Sequence, residues 1–320
     1  MPEVLRIEQL TIDFLSAERI AAVREVSLQV SPGECLGIVG ESGSGKSQTF
    51  MGALGLLPRS ARATGSVRFE GREILDAPRA VLNKIRGSRL SMVFQDPMSS
   101  LTPHLRIGTQ LAEVLVCHRG MSWRESELAA LRMLDRVRVP ESKRRLRQYP
   151  HQLSGGMRQR VMIAMGLLCE PALMIADEPT TALDVTVQAQ IIDLLRTLRH
   201  EYGTAFVLIS HDLAVVGGLA DRILVMYAGR VVESAAARDL LRRPRHPYTA
   251  ELLRCVPDLS GPPLERMPSL PGQPPDAAQP AAGCEFAPRC PFAVELCRAQ
   301  RPPLRRLGPG EVACHFPLPS

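Results

Sequence analysis

Two short stretches of this chain hold residue types suited to phosphate chemistry. The first, Gly40-Glu-Ser-Gly-Ser-Gly45-Lys46-Ser47, fits the phosphate-loop spacing GxxxxGK[ST] and stands between an apolar run and the start of a helical pattern. Gly40, Gly43 and Gly45 allow the backbone to curl so that its N–H groups, that of Ser42 among them, face phosphate oxygens. The helix N-terminus adds partial positive charge, Lys46 matches the β- and γ-phosphates, and the Ser47 hydroxyl suits Mg²⁺. The second stretch is the apolar run Leu173-Met-Ile-Ala176 followed by Asp177-Glu178. A buried strand there would carry two carboxylates to its end, Asp177 for the Mg²⁺ shell and Glu178 to polarise an attacking water. In-line phosphoryl transfer needs such a positioned nucleophile and charge neutralisation more than covalent chemistry.

A third stretch decides among phosphate-loop proteins. Leu153-Ser154-Gly155-Gly156-Met157-Arg158-Gln159-Arg160 opens a helix, where Ser154 is a candidate N-cap and Gly155-Gly156 allow close backbone approach to an anion. It resembles the signature sequence of the ATP-binding cassette (ABC) ATPases, and the resemblance covers nearly all of residues 1–258 with the motifs in the family's order.

On that resemblance, Gln95 in Val93-Phe-Gln-Asp-Pro97 is similar to the family's glutamine loop, which touches Mg²⁺ and water. Asp184 in Thr181-Ala-Leu-Asp184 resembles the dimer-contact loop, with Thr181 where serine is common. His211 resembles the switch histidine near the γ-phosphate. Phe14 is similar in position to the aromatic that stacks on adenine, and a core role for it stays open. The resemblance implies ATP and Mg²⁺ as ligands, with Ser47, Gln95 and Asp177 around the metal. It also implies a head-to-tail dimer in which Ser154, Gly155 and Gly156 of one subunit meet the ATP held by the other, with Glu178, Gln95 and His211 as the catalytic set.

The elements needed to position these residues are legible as an α/β fold. Val26, Leu28 and Val30 alternate as in a half-buried strand, and Cys35 to Val39 reads as a short strand ending at Gly40, with a helix beginning at Lys46. Leu173–Ala176 and Ala205–Ile209 flank a helical stretch from Val185 to Tyr202 that closes at Gly203, an order that implies parallel strands with crossover helices. Ile223–Tyr227 and Arg230–Glu233 read as a hairpin turning at Ala228-Gly229. Between about 94 and 170 the pattern is helical and polar, with Ser122–Val137 and the stretch after Gly155 at helical spacing, which predicts an inserted helical subdomain. The basic run Lys143–Arg147 reads as a solvated helix face and Trp123 as a partly buried aromatic. With no aromatic-interleaved motif beside those charges, no nucleic-acid partner is expected.

The chain has 320 residues, 45% of them apolar, and a formal charge of +6 that selects no partner by itself. The longest apolar run, Val161 to Ala176, is interrupted by Glu170 and Pro171, so no membrane span is expected. Glu3, Arg6 and Glu8 make the start unlike a secretory signal, so a cytoplasmic location is expected.

Of the 27 prolines, 15 lie in residues 257–320, which argues against regular helix or sheet there and places a boundary near Asp258. Residues 1–258 are therefore expected to form the ATPase domain and 259–320 a small irregular extension. Cys284, Cys290, Cys297 and Cys314, spaced Cx5Cx6Cx16C, suit an iron–sulfur cluster or tetrahedral zinc in a reducing compartment, and His315 keeps zinc open. This tail, from Arg245-His-Pro-Tyr-Thr249 to Ala313-Cys-His315, resembles the C-terminal extension of oligopeptide and dipeptide importer ATPases, which implies a [4Fe–4S] cluster on the four cysteines. Met157-Arg158 and Gln48, the last within the implied nucleotide-binding set, look like that subgroup too.

The expected function is therefore the ATPase subunit of a peptide importer, peripheral on the cytoplasmic face of the inner membrane. Its expected partners are two permeases, a second and non-identical ATPase, and indirectly a solute-binding protein. Related systems move nickel, glutathione, haem or other small solutes. A soluble ABC ATPase of translation or DNA repair is the other class, and a single cassette without a heptad run speaks against it. A redox-sensing tail is a third reading.

Overall fold

The computed structural model describes residues 3–15, 19–96, 100–181, 183–255, 270–276, 278 and 281–319. They fall into two compact units: residues 1–5, 30–34 and 76–209 form the first, and residues 6–29, 35–75 and 210–320 the second.

In the first unit the strands Leu90–Val93, Leu173–Asp177 and Ala205–Ser210 run parallel, with Ile175 opposite both Met92 and Val207. Every residue of Leu173–Asp177 and of Ala205–Ser210 is buried, as expected for parallel strands covered on both faces. The crossover between them is the helix Val185–Tyr202. Asp184 caps its start by accepting from Val187 N at 2.9 Å, and Gly203 ends it in the left-handed region at φ 62°. Ile191, Leu194, Leu195 and Leu198 form its buried stripe.

Between the strands Leu90–Val93 and Leu173–Asp177 lie the helices Ile107–Arg119, Trp123–Arg136 and Gly155–Leu167. The second of these starts at a capping box, Ser122 with Glu125. Trp123, expected to be partly buried, is 51% exposed. It is the first residue of its helix, while the buried face is supplied by Ser126, Ala130, Met133 and Leu134. In the basic run, Arg144 pairs with Glu141 at 2.8 Å on the exposed surface.

The second unit pairs Cys35–Val39 in parallel with Arg222–Tyr227, which turns back antiparallel as Arg230–Ala236. The turn places Ala228 at φ 49° and Gly229 at φ 80°, the two positive values that a two-residue hairpin of right-handed twist requires. A further sheet has the order Arg19–Val30, Leu5–Leu15, Ala61–Phe69, Arg72–Glu73.

The proline-rich tail is more regular than its composition predicts. Arg305–Leu307 and Gly310–Val312 form a hairpin whose second strand pairs with Glu233 and Ser234 of Arg230–Ala236. A short helix spans Glu295–Ala299. Neither strand contains proline, and an edge strand already in place needs only a few residues to dock on it, so the regional proline content did not forbid local pairing.

Candidate functional site

The phosphate loop lies between Cys35–Val39 and the helix Lys46–Ala53, as its spacing requires. Two glycines are needed for close approach. A Cβ on Gly40 would lie 2.1 Å from Met226 O, and one on Gly45, which caps the helix at φ 94°, would lie 2.5 Å from Ala22 O. Ser42 and Gly43 form the exposed tip. The buried Lys46 ammonium donates to Gly40 O at 2.7 Å and Glu41 O at 2.9 Å, so its charge is held inside the loop. Ser47 is half-buried, and the next residue, Gln48, has a buried Oε1 without a hydrogen-bond partner among the described residues. A backbone cradle with a fixed ammonium and an unmatched acceptor fits a hydrated Mg²⁺–triphosphate group.

In the first unit the strand Leu173–Asp177 ends in the buried Asp177 and hands on to Glu178. Glu178 sits at φ 47°, an uncommon conformation for a non-glycine residue and one that concentrates at functional sites. Its N–H donates to Ile209 O at 2.9 Å. Its Oε2 accepts from Gln95 Nε2 at 3.1 Å and from Thr181 Oγ1 at 2.7 Å. A carboxylate oriented by two donors is suited to accepting a proton from water.

Ser154 caps the helix Gly155–Leu167, accepting from Met157 N at 3.3 Å, and leaves Gly155 exposed in the first turn. His211 is exposed in the second unit, directly before Asp212, whose Oδ1 caps the next helix from Ala214 N at 2.7 Å. Phe14 is half-buried on the strand Leu5–Leu15. The structure thus joins Gln95, Glu178 and Thr181 in one unit, and gathers Lys46 with its loop in the other.

The four tail cysteines line one cavity together with Phe286, Phe292 and Phe316. Burial pushes the Cys284 thiol up to about 11 and raises Cys290 and Cys314 as well. Among the described residues no three His, Cys, Asp or Glu side chains stand at the spacing of a single metal ion.

Three participants escaped the sequence reading. Thr181 was noted only as a departure from serine, yet its hydroxyl holds Glu178. Arg289, between two of the cysteines, pairs with Glu41 of the phosphate loop, and the buried Tyr248 hydroxyl accepts from Glu41 N at 2.8 Å. No local pattern could reveal contacts across more than 200 residues of chain.

A family described as "ABC transporter" matches residues 23–181, and "Oligopeptide/dipeptide transporter, C-terminal region" matches 232–297. The chain belongs to the ABC transporter ATP-binding proteins and is an ATPase of that family. It is 51% identical over 317 residues to the oligopeptide transport ATP-binding protein OppD of Salmonella typhimurium, covering 98% of this chain and 94% of that one. With OppD of Haemophilus influenzae it is 49% identical, covering 93% and 92%.

Among solved structures, a dimeric ATP-binding cassette in a post-hydrolysis state with ADP and Pi matches with TM-score 0.66 and 32% identity, covering 73% of this chain and 99% of that one. CbiO1 from Clostridium perfringens, part of the CbiONQ ABC transporter complex, matches with TM-score 0.64 and 25% identity, covering 76% and 92%. No helix among the described residues is long and apolar enough to cross a membrane.

Proposed function

We propose that this ATPase powers the import of di- or oligopeptides, working on the cytoplasmic face of the inner membrane with two permease subunits, a solute-binding protein and a second, non-identical ATPase. The observation that carries the reading is the match of residues 232–297, largely beyond the phosphate-transfer motifs, to the oligopeptide/dipeptide transporter C-terminal region. Residues 1–258 act as the ATPase domain, with the helical subdomain at about 94–170, and residues 259–320 as its extension.

In this reading Gly40, Ser42, Gly43, Gly45 and Lys46 hold the triphosphate, Gln48 lines the site, and Phe14 meets the adenine. Ser154, Gly155, Gly156 and Asp184 face the nucleotide of a partner ATPase. Ser47, Gln95 and Asp177 would hold Mg²⁺, which neutralises triphosphate charge when bound. Glu178 takes the proton of the attacking water, and His211 stabilises charge at the γ-phosphate. The two hydrogen bonds to Glu178 Oε2 support its part, because they fix the carboxylate before water arrives.

For the tail, four thiols facing one cavity support a [4Fe–4S] cluster held by Cys284, Cys290, Cys297 and Cys314, with zinc as the other candidate. Such a group would supply a covalent staple for a segment with little core of its own. The test of the proposed function is uptake by the assembled complex. Labelled di- and oligopeptides should be accumulated with ATP, whereas accumulation of nickel, glutathione or haem in place of peptides would assign the cargo elsewhere.

A further inference from the structure

The loop that receives phosphate carries a carboxylate of its own, Glu41. Its side chain is engaged by Arg289, whose Nη1 donates to Oε2 at 2.7 Å and Nη2 to Oε1 at 3.0 Å. Arg289 comes from the tail, one residue before Cys290, and its side chain is 4% exposed. The guanidinium is fixed at two further points, with Nε donating to Pro271 O at 2.8 Å and Nη1 to Tyr227 Oη at 3.2 Å. The hydrogen bonds to Glu41 hold the Arg289 pKa well above its ordinary value, so the charge is permanent.

Glu41 is also held through its backbone. Its N–H donates to Tyr248 Oη at 2.8 Å, and its carbonyl accepts from Lys46 Nζ at 2.9 Å. Tyr248 and Tyr227 pack with their rings tilted at 56° and 4.5 Å between centroids, and Phe286 packs against both at 5.4 Å. One end of the phosphate loop thus rests on a wall to which the tail contributes Phe286 and Arg289.

An unpaired carboxylate in this loop would repel an incoming triphosphate and compete with it for Lys46. A bidentate guanidinium removes that competition by neutralising the group and fixing its direction. We propose that Arg289 is a positioning residue for ATP: it neutralises and anchors Glu41, so that the C-terminal segment tunes nucleotide affinity of the phosphate loop in its own chain. The inference rests on the reading of Gly40–Ser47 as the triphosphate site.

The test uses the full chain, with MgATP affinity measured by calorimetry and Tm measured without nucleotide. Arg289→Gln is expected to weaken MgATP binding about tenfold, on the scale of a lost charge-assisted hydrogen bond. Adding Glu41→Gln should restore most of that loss, because the uncompensated carboxylate is then gone. A merely structural anchor would lower Tm without this rescue. Parent affinity in a folded Arg289→Gln chain overturns the inference, and so does a loss that Glu41→Gln leaves in place. Should Arg289→Gln fail to fold, Arg289→Lys keeps the charge without the fork. It is expected to lose roughly threefold in affinity, and parent affinity there overturns the inference as well. Absence of MgATP binding by the parent would instead sink the phosphate-loop reading itself.

Discussion

Gln95 Nε2 donates to Glu178 Oε2 at 3.1 Å, linking the end of the strand Leu90–Val93 to the residue that follows the strand Leu173–Asp177. Thr181 Oγ1 reaches the same oxygen at 2.7 Å, so the carboxylate is held from two sides. Gln95→Ala removes one donor and leaves the other. At saturating MgATP it should lower kcat by roughly fivefold, the scale of one hydrogen bond of about 1 kcal/mol, with some loss of MgATP affinity because Gln95 is also placed at Mg²⁺. Single-turnover hydrolysis by the purified complex checks this, and an unchanged rate would show that Gln95 does not orient Glu178.

Lys46→Ala acts on binding instead of turnover. The ammonium is buried and fixed on Gly40 O and Glu41 O, so its loss takes away a preorganised charge that the β- and γ-phosphates would otherwise meet. MgATP affinity should fall by at least about tenfold, the equivalent of 1.4 kcal/mol. Titration with MgATP is the measurement, and parent affinity would contradict the account of the loop.

His246 gives the fold an acid limit. Its Nδ1 accepts from Tyr248 N at 3.0 Å, and complete burial lowers its pKa from 6.5 to about 4. The unfolded chain therefore takes up this proton before the folded one, and stability present above pH 6.5 is lost as pH falls toward 4. The slope approaches about 1.4 kcal/mol per pH unit for one such group. Burial raises the pKa of nearby Glu233, which titrates in the opposite sense and remains in both chains being compared. Urea midpoints of parent and His246→Gln measured from pH 7.5 to 5 should converge as pH falls. Parallel curves would remove His246 from the explanation.

The tail cysteines make a compositional test. Protein purified without oxygen should be brown, with iron and sulfide near four each per chain by the cluster's stoichiometry, and Cys290→Ser should bleach it. One zinc without sulfide would reject the cluster. The bleached chain should keep much of its ATPase activity at saturating MgATP while its stability or assembly falls, because Lys46, Glu178 and His211 lie outside the tail, provided that Arg289 still holds Glu41.

Much of this was legible in the sequence because it is written locally. The phosphate-loop spacing, the buried run before Asp177-Glu178, the capped helix at Ser154 and the hairpin at Ala228-Gly229 each depend on neighbours within a few residues. Thr181 escaped although it lies three residues from Glu178, because nothing in its residue type shows where its hydroxyl points; most of the rest depends on distance along the chain. Arg289 meets Glu41 across 248 residues, and Arg222 Nη2 reaches Gln29 O across 193. The exposure of Trp123 follows from its position at a helix start, a detail of which face the helix buries and not of residue type. The tail strands were hidden because the edge they join, Arg230–Ala236, lies far back in the chain.

The central claim is that this chain hydrolyses ATP to drive peptide import, and peptide-stimulated ATP hydrolysis by the complex in proteoliposomes tests it most directly. The parent should show hydrolysis that rises with peptide-loaded binding protein, together with peptide accumulation. Glu178→Gln should bind ATP yet lose at least about 100-fold in turnover, the scale of a positioned general base, and lose accumulation with it. Peptide accumulation at the parent rate by the Glu178→Gln complex, or hydrolysis indifferent to peptide in the parent, would contradict the account.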